Sequence, residues 1–399
     1  YSRSSNDSDK SQDSIIRVNL RRRKKNTTYE EKESEQSINL EEEEKVSFAE
    51  NIQQKFKILI SYLQIMSLLS INLDIEWPDF INNLVSGFSF INLDIFTISK
   101  HDLQCSFNTT FYNTIILNLI TIPFLILLVS LAYYIALLIS EKTPRKRIEL
   151  KDRYIYCLVL FIFLIYPAVG SSILKTFKCL EIEGVWYLSE DLSQQCFDET
   201  WTNYAILSGV FIVVYILGIP FIFYQIMKTN KDLLFIANTQ KDNNDNNDYL
   251  ELSDELKEKM NDNEIMKKAK KFSYRYGFMF MGYENKFWWF EIVEMMKKIV
   301  LLATVIYLEE SPTRILIAML MCFGYLGYIS YNKPLKFNDD DYLNVLSAAE
   351  MFLMLLCALM IDVKINIQDE YNEYAFTGFM FVLLMGIVVI GNYEILKSL

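Results

Sequence analysis

Uncharged, largely apolar runs alternate with strongly polar segments along this chain, and their spacing sets the expected architecture. A hydrocarbon core of about 30 Å needs about 20 helical residues at 1.5 Å each. Residues 111–140 carry no charge over their whole length, and 154–174, 202–227, 315–332 and 374–393 are similar runs. The run 342–361 is interrupted once, by Glu350, and 288–308 carries charges only in its first half. Near the start, 58–73 is uncharged but short, while 80–99 follows Trp77–Pro78 and is broken by Asp94. The pattern predicts an all-α, polytopic transmembrane helix bundle of about eight spans. Pro123, Pro167 and Pro220 fall inside three of the runs. Each lacks the N–H that a helix interior uses, so each is expected to kink its helix, and the freed backbone groups must find neighbours or water.

Short loops give the orientation, because Lys and Arg mark the cytoplasmic side. Loop 141–153 holds Lys142, Arg145, Lys146, Arg147, Lys151 and Arg153, so it is expected inside. Loop 175–201 holds Glu181, Glu183, Glu190, Asp191, Asp198 and Glu199 against Lys175 and Lys178, and belongs outside. Lys267, Lys268, Lys270, Lys271 and Arg275 return 228–286 to the inside. Parity then places both termini in the cytoplasm and allows only one of 58–73 and 80–99 to span. Four regions are expected: a disordered cytoplasmic segment at 1–54, a first membrane half at 55–227 with about four spans, a cytoplasmic polar loop at 228–286, and a second half at 287–396 with four spans. The first region is rich in Ser, Asn, Asp, Glu and Lys, too polar to bury a core. Its basic run Arg21–Lys25 reads as a solvated charge run, with docking on anionic lipid as the alternative.

The run at 288–308 is the unusual one. Ten uncharged residues, Ile299 to Leu308, make only about 15 Å of helix, so a span here must draw Glu291, Glu294, Lys297 and Lys298 to membrane depth. Charges at that depth cost roughly 2.5 to 3.5 kcal/mol each and are expected to face the bundle interior or one another. At about 100° per residue, Glu291, Glu294 and Lys298 share a face and Lys297 lies beside Glu294. The four sum to zero, which suits mutual pairing. Two readings stay open: an ion path or gate, and a structural ion-pair network, or charges at headgroup level beside an interfacial belt of Trp288 and Trp289. Glu350 has no cation within one turn of its own helix, and Lys297 or Lys298 is its expected partner.

Composition agrees with this picture: 52% hydrophobic and 15% aromatic residues over 399 positions, with mean hydropathy +0.14. The net charge of -11 is split between segregated acidic and basic loops, so it gives no support for nucleic-acid binding. The single histidine, His101, and the lack of metalloprotease, dinucleotide and phosphate-loop motifs argue against an enzyme, a cofactor or a metal site. No helix repeats Arg or Lys at every third position, as a voltage sensor would, and no potassium-filter sequence occurs. Cys105, Cys179 and Cys196 fall in loops expected outside, an oxidising side. A Cys179–Cys196 disulfide is the first expectation, with Cys105 as a competing partner. Cys157, Cys322 and Cys357 lie in apolar runs and read as small buried hydrophobes.

Several stretches together resemble a known group. They are Phe-Lys-Ile-Leu-Ile-Ser-Tyr-Leu-Gln-Ile at 56–65, Trp77–Pro78, Phe-Ser-Phe-Ile-Asn-Leu-Asp at 88–94, Cys105, Tyr276-Gly277-Phe278, and Trp288-Trp289-Phe290-Glu291 with Glu294. This pattern, over about residues 55–396, resembles the multi-pass C-terminal membrane region of large protist, ciliate-like, cysteine-rich-repeat surface proteins. The resemblance implies a membrane region similar to transient receptor potential or polycystin-type channels, an upstream extracellular cysteine-rich domain, and residence in the plasma or ciliary membrane. A chain starting at Tyr1 fits a piece of such a longer protein. The expected function is a cation channel-like or sensory surface protein. The alternatives are a non-conducting membrane anchor of an extracellular adhesion or receptor domain, and a lipid transporter or scramblase. Expected partners are the lipid bilayer, further copies of the chain in a homo-oligomer, and the upstream domain.

Overall fold

The computed structural model describes residues 52–73, 75–88, 110–139, 144–239, 262–308, 311–363 and 370–398. The polar segment at 1–51 with its basic run at 21–25, residues 89–99 of the second marginal stretch, His101 and Cys105 lie outside them. Residues 52–72 form helix α1, about 31 Å long at 1.5 Å per residue. Helix α2 (Asp79–Gly87) follows the Trp77–Pro78 step; its nine residues cover only about 14 Å, and it packs Phe80 edge-on against Phe381 at 5.4 Å. Then come α3 (Phe111–Ile139) and α4 (Pro144–Lys175). A continuous helical rod follows, in which α5 (Glu199–Phe211) passes through a π segment (Ile212–Leu217) into α6 (Gly218–Thr229). After α7 (Lys231–Thr239) and α8 (Asn263–Phe280) the chain ends with α9 (Phe290–Tyr307), α10 (Ser311–Asn332), α11 (Asn338–Asp362) and α12 (Glu370–Ser398). Six helices among the described residues are long and apolar enough to cross a membrane: Phe111–Ile139, Lys146–Lys175, Glu199–Thr229, Pro312–Asn332, Asn338–Asp362 and Tyr374–Lys397. The chain is thus helical and suited to a multi-pass membrane protein.

Two segments read from sequence as loops carry regular structure. Residues 228–286 include α7 and α8, which pack on each other and on the bundle. The loop 175–201 folds into a three-stranded antiparallel sheet, β1 (Cys179–Ile182), β2 (Val185–Leu188) and β3 (Asp191–Gln195). Its first turn is two residues long, since Ile182 pairs with Val185, and Glu183 and Gly184 take φ of 52° and 83°. Positive φ at both positions is what a type I′ hairpin turn requires, and Gly184 adopts it without a Cβ clash. A disulfide joins Cys179 to Cys196, and Leu188 seals the sheet to the bundle.

Contacts between helix ends divide the described chain into two poles. At the sheet pole, the Phe111 N–H donates to Asp191 (3.1 Å), Lys175 pairs with Glu190 (3.0 Å), Tyr307 donates to the Leu174 carbonyl (2.9 Å), and Arg314 donates to the Leu73 carbonyl. At the opposite pole, Lys55 pairs with Asp340 (2.9 Å), Arg275 with Asp152 (2.6 Å) and Lys397 with Asp339 (3.6 Å). There, too, the backbones of Gly282–Glu284 and Pro334–Lys336 exchange hydrogen bonds of 3.0 and 3.1 Å. Successive long helices therefore run in opposite directions, and the ends that charge parity assigned to one side of the membrane meet at one pole.

Apolar packing forms two clusters, one around α1, α2 and α10–α12, the other around α3–α8. Helix α9 serves both. Phe290, Leu301 and Val305 enter the first, while Met295, Ile299, Leu302 and Ile306 enter the second. Close approach to α4 is enforced at Gly170, where any Cβ would collide with Ile299 Cδ1. The rod from α5 to α6 shows how a proline is accommodated. Pro220 cannot donate to the carbonyl one turn back, Ile216, and the Tyr166 hydroxyl of α4 donates to it instead at 2.7 Å.

Candidate functional site

The charges of α9 point into the seam between the two clusters. Glu291 is 0% exposed, Lys298 1% and Glu294 8%. Charges this deeply buried require partners, and helices other than α9 supply most of them. Lys57 of α1 pairs with Glu291 and also donates to the Phe278 carbonyl (3.0 Å). Its ammonium lies 4.8 Å from the Phe278 ring centre and 5.0 Å from that of Tyr283, within cation–π range. Tyr283 donates to Glu291 Oε2 at 2.9 Å. Burial, then the adjacent Glu291 carboxylate, holds the Tyr283 phenol well above its ordinary pKa, so the donor stays protonated. Glu294 accepts from Lys297 at 2.6 Å and from the Tyr325 hydroxyl of α10, while the Lys297 ammonium sits 3.6 Å from the centre of the Tyr325 ring.

Lys298 follows another route. It donates to Gln64 Oε1 of α1 (3.2 Å) over the Phe163 ring (4.5 Å), and Gln64 in turn donates to the Leu164 carbonyl (2.8 Å). Leu164 lies three residues before Pro167, in the turn of α4 that a proline opens. The Leu164 carbonyl thus orients Gln64, and Gln64 orients the lysine.

Lys57, Tyr283, Glu291, Glu294, Lys297 and Tyr325 border a cavity of about 90 Å³. Its polar lining comes from Lys57, Glu291, Glu294, Lys297 and from hydroxyls and amides such as Tyr62 and Asn344. Lined residues run on α1 from Gln54 to Ile65, on α9 from Glu291 to Leu301, and on α11 from Asn344 to Met351. Gln54, Tyr283 and Leu335 belong to the pole of the Lys55–Asp340 pair, and the last residues of each run lie near mid-helix. The cavity is therefore a one-sided polar vestibule. Further towards the sheet pole, the same helices carry the buried apolar side chains Leu69, Val305, Met354 and Leu355. The cavity's size exceeds the 10–15 Å³ needed for one water several times over. Glu291 Oε1 and the Tyr62 hydroxyl make no hydrogen bond, which is the environment that ordered water satisfies.

Glu350 of α11 sits apart from the lysines. Neither Lys297 nor Lys298, the expected partners, lies beside it; its neighbours are the Tyr62 hydroxyl and the α12 backbone at Ile387. Lys297 and Lys298 are held by Glu294 and Gln64. A Cβ on Gly386 would lie 2.9 Å from Glu350 Oε1, so the glycine makes room for the carboxyl. Trp288 and Trp289 are both half-buried, Trp288 stacked on Tyr224 at 5.6 Å and Trp289 tilted against Phe290 at 6.2 Å. Pro123 lies inside α3. Among the described residues no group of His, Cys, Asp and Glu could hold a metal ion.

The residues that sequence reasoning missed are Lys57, Gln64, Tyr283, Tyr325 and Tyr62. One signal was available: Gln54, Lys57, Ser61 and Gln64 recur every three or four positions, the spacing of a polar stripe on a helix. The tyrosines carry no such mark. Compared with known proteins, the chain matches no family model, no curated protein and no solved structure.

Proposed function

We propose that the chain is a channel-like or sensory membrane protein whose polar vestibule is its responsive element. The observation that carries this reading is the vestibule itself, a one-sided, charge-lined cavity entering a helical bundle to mid-depth. A bundle that served only as an anchor could be filled with apolar side chains. Burying Lys57, Lys298, Glu291 and Glu294 is costly and is expected where ions, protons or ligands are handled. Adding α1 and α9 to the six apolar helices gives eight spans. The sheet pole is then extracellular, and the pole of Arg275 and both termini cytoplasmic, as the basic loops suggest. The resemblance to protist surface proteins supports a plasma or ciliary membrane, an upstream cysteine-rich domain and assembly into a homo-oligomer. The second reading is a non-conducting anchor, favoured by the complete internal pairing of Lys57 and Glu294. Recording from planar bilayers holding the purified protein separates the two. Cation current that Glu294→Gln alters is the expected result, and a silent bilayer under voltage and pH steps removes the channel reading.

A further inference from the structure

We infer that Glu350 is a proton-binding site inside the bundle, loaded from the vestibule through Tyr62. Glu350 is 6% exposed and lies twelve residues into α11, about 18 Å from its start, close to the middle of a span. Its Oε2 atom and the Tyr62 hydroxyl adjoin each other, and by strict geometry neither makes a full hydrogen bond to any other group. The groups that face the carboxyl are Tyr62 from α1 and the backbone around Gly386 and Ile387 from α12. Among the described residues no Lys or Arg pairs with it, in contrast to Glu291 and Glu294. A buried carboxylate without a cation is strongly disfavoured, and taking up a proton is the direct way to remove its charge.

The route is short. Tyr62 belongs to the vestibule lining while its hydroxyl adjoins Glu350, so this one side chain touches both water-sized space and the acid. In the transfer, a hydronium in the vestibule gives a proton to the Tyr62 oxygen as the tyrosine O–H proton passes to Oε2. Water and a neutral carboxylic acid result, and the tyrosine is unchanged. Towards the sheet pole the neighbouring side chains are the buried, apolar Leu69, Met354 and Leu355. Access in this proposal is therefore from the other pole alone.

This inference deepens the reading of the vestibule as a responsive element, and its test needs no ion current. The full chain is reconstituted in sealed vesicles and exposed to an apolar carbodiimide, a reagent that modifies carboxyl groups in their protonated form. Adducts are located by mass spectrometry. Labelling of Glu350 is expected to rise severalfold as pH falls on the side where trypsin reaches Lys267–Lys271, and to ignore pH on the sheet side. Tyr62→Phe is expected to slow that response severalfold after a pH jump, whereas Glu350→Gln removes the adduct. Labelling that is independent of pH, that follows the sheet-side pH, or that is as fast in Tyr62→Phe overturns the proposal. Because labelling is read on the wild-type chain, misfolding of a variant does not decide the result. A silent bilayer with pH-dependent labelling would reject conduction and keep the proton site.

Discussion

Lys57 and Glu291 show what buried charge does at the scale of single residues. Each is almost fully withdrawn from solvent, and each has further partners in the Phe278 carbonyl and the Tyr283 hydroxyl. Removing one member leaves the other as an unpaired charge in an apolar setting, at a cost of about 3–5 kcal/mol. Lys57→Met should therefore lower the thermal unfolding midpoint in detergent far more than the double variant Lys57→Met/Glu291→Leu, which removes the charge from both sides. Equal losses in the two proteins would show that packing rather than pairing dominates here. Half of this site was legible beforehand. Helical periodicity alone grouped Glu291, Glu294 and Lys298 on one face, because those positions share a helix. The identity of the partners was not legible, since Lys57 and Tyr325 reach the site from helices whose order in space no local pattern encodes.

At the scale of elements, the π segment and the prolines show where backbone hydrogen bonds go. The expectation that Pro220 would disturb its helix followed from the missing N–H. What stood beyond sequence reading was the donor that repairs it, Tyr166 of α4, fifty residues earlier in the chain. An orphaned carbonyl in a bundle costs about 1 kcal/mol, so Tyr166→Phe should destabilise the protein by about that amount. In a Pro220→Ala background the N–H gained at position 220 can serve Ile216, and the effect of Tyr166→Phe should shrink towards zero. A double-mutant cycle measured by unfolding in detergent checks this, and additive losses would mean that Tyr166 acts through ring packing instead. The sheet at Cys179–Gln195 escaped sequence reading for a different reason. Its strands are four or five residues long, too short for a period of two to stand out, and only Gly184 marks the turn.

The whole molecule is organised by alternation of its helices between two poles. Charge parity in the sequence and end-to-end contacts in the fold are independent, yet they sort the same segments together: 144–153 with 262–286 at one pole, 175–201 with the start of α3 at the other. The agreement arises because loops that share a pole are close enough to bond, while the same loops carry the charge that sets insertion. The proposed orientation puts the disulfide of the sheet pole on an oxidising side and the basic pole in the cytoplasm. In sealed vesicles of one orientation, a membrane-impermeant reductant should open Cys179–Cys196 from the face opposite to that on which trypsin cuts at Lys267–Lys271. Both thiols would then take a maleimide label, while Cys322 and Cys357, buried between helices, would remain unlabelled until the bundle is denatured. Reduction and proteolysis from the same face would contradict the alternation itself, because an odd number of crossings, α5–α6 alone, separates the two segments.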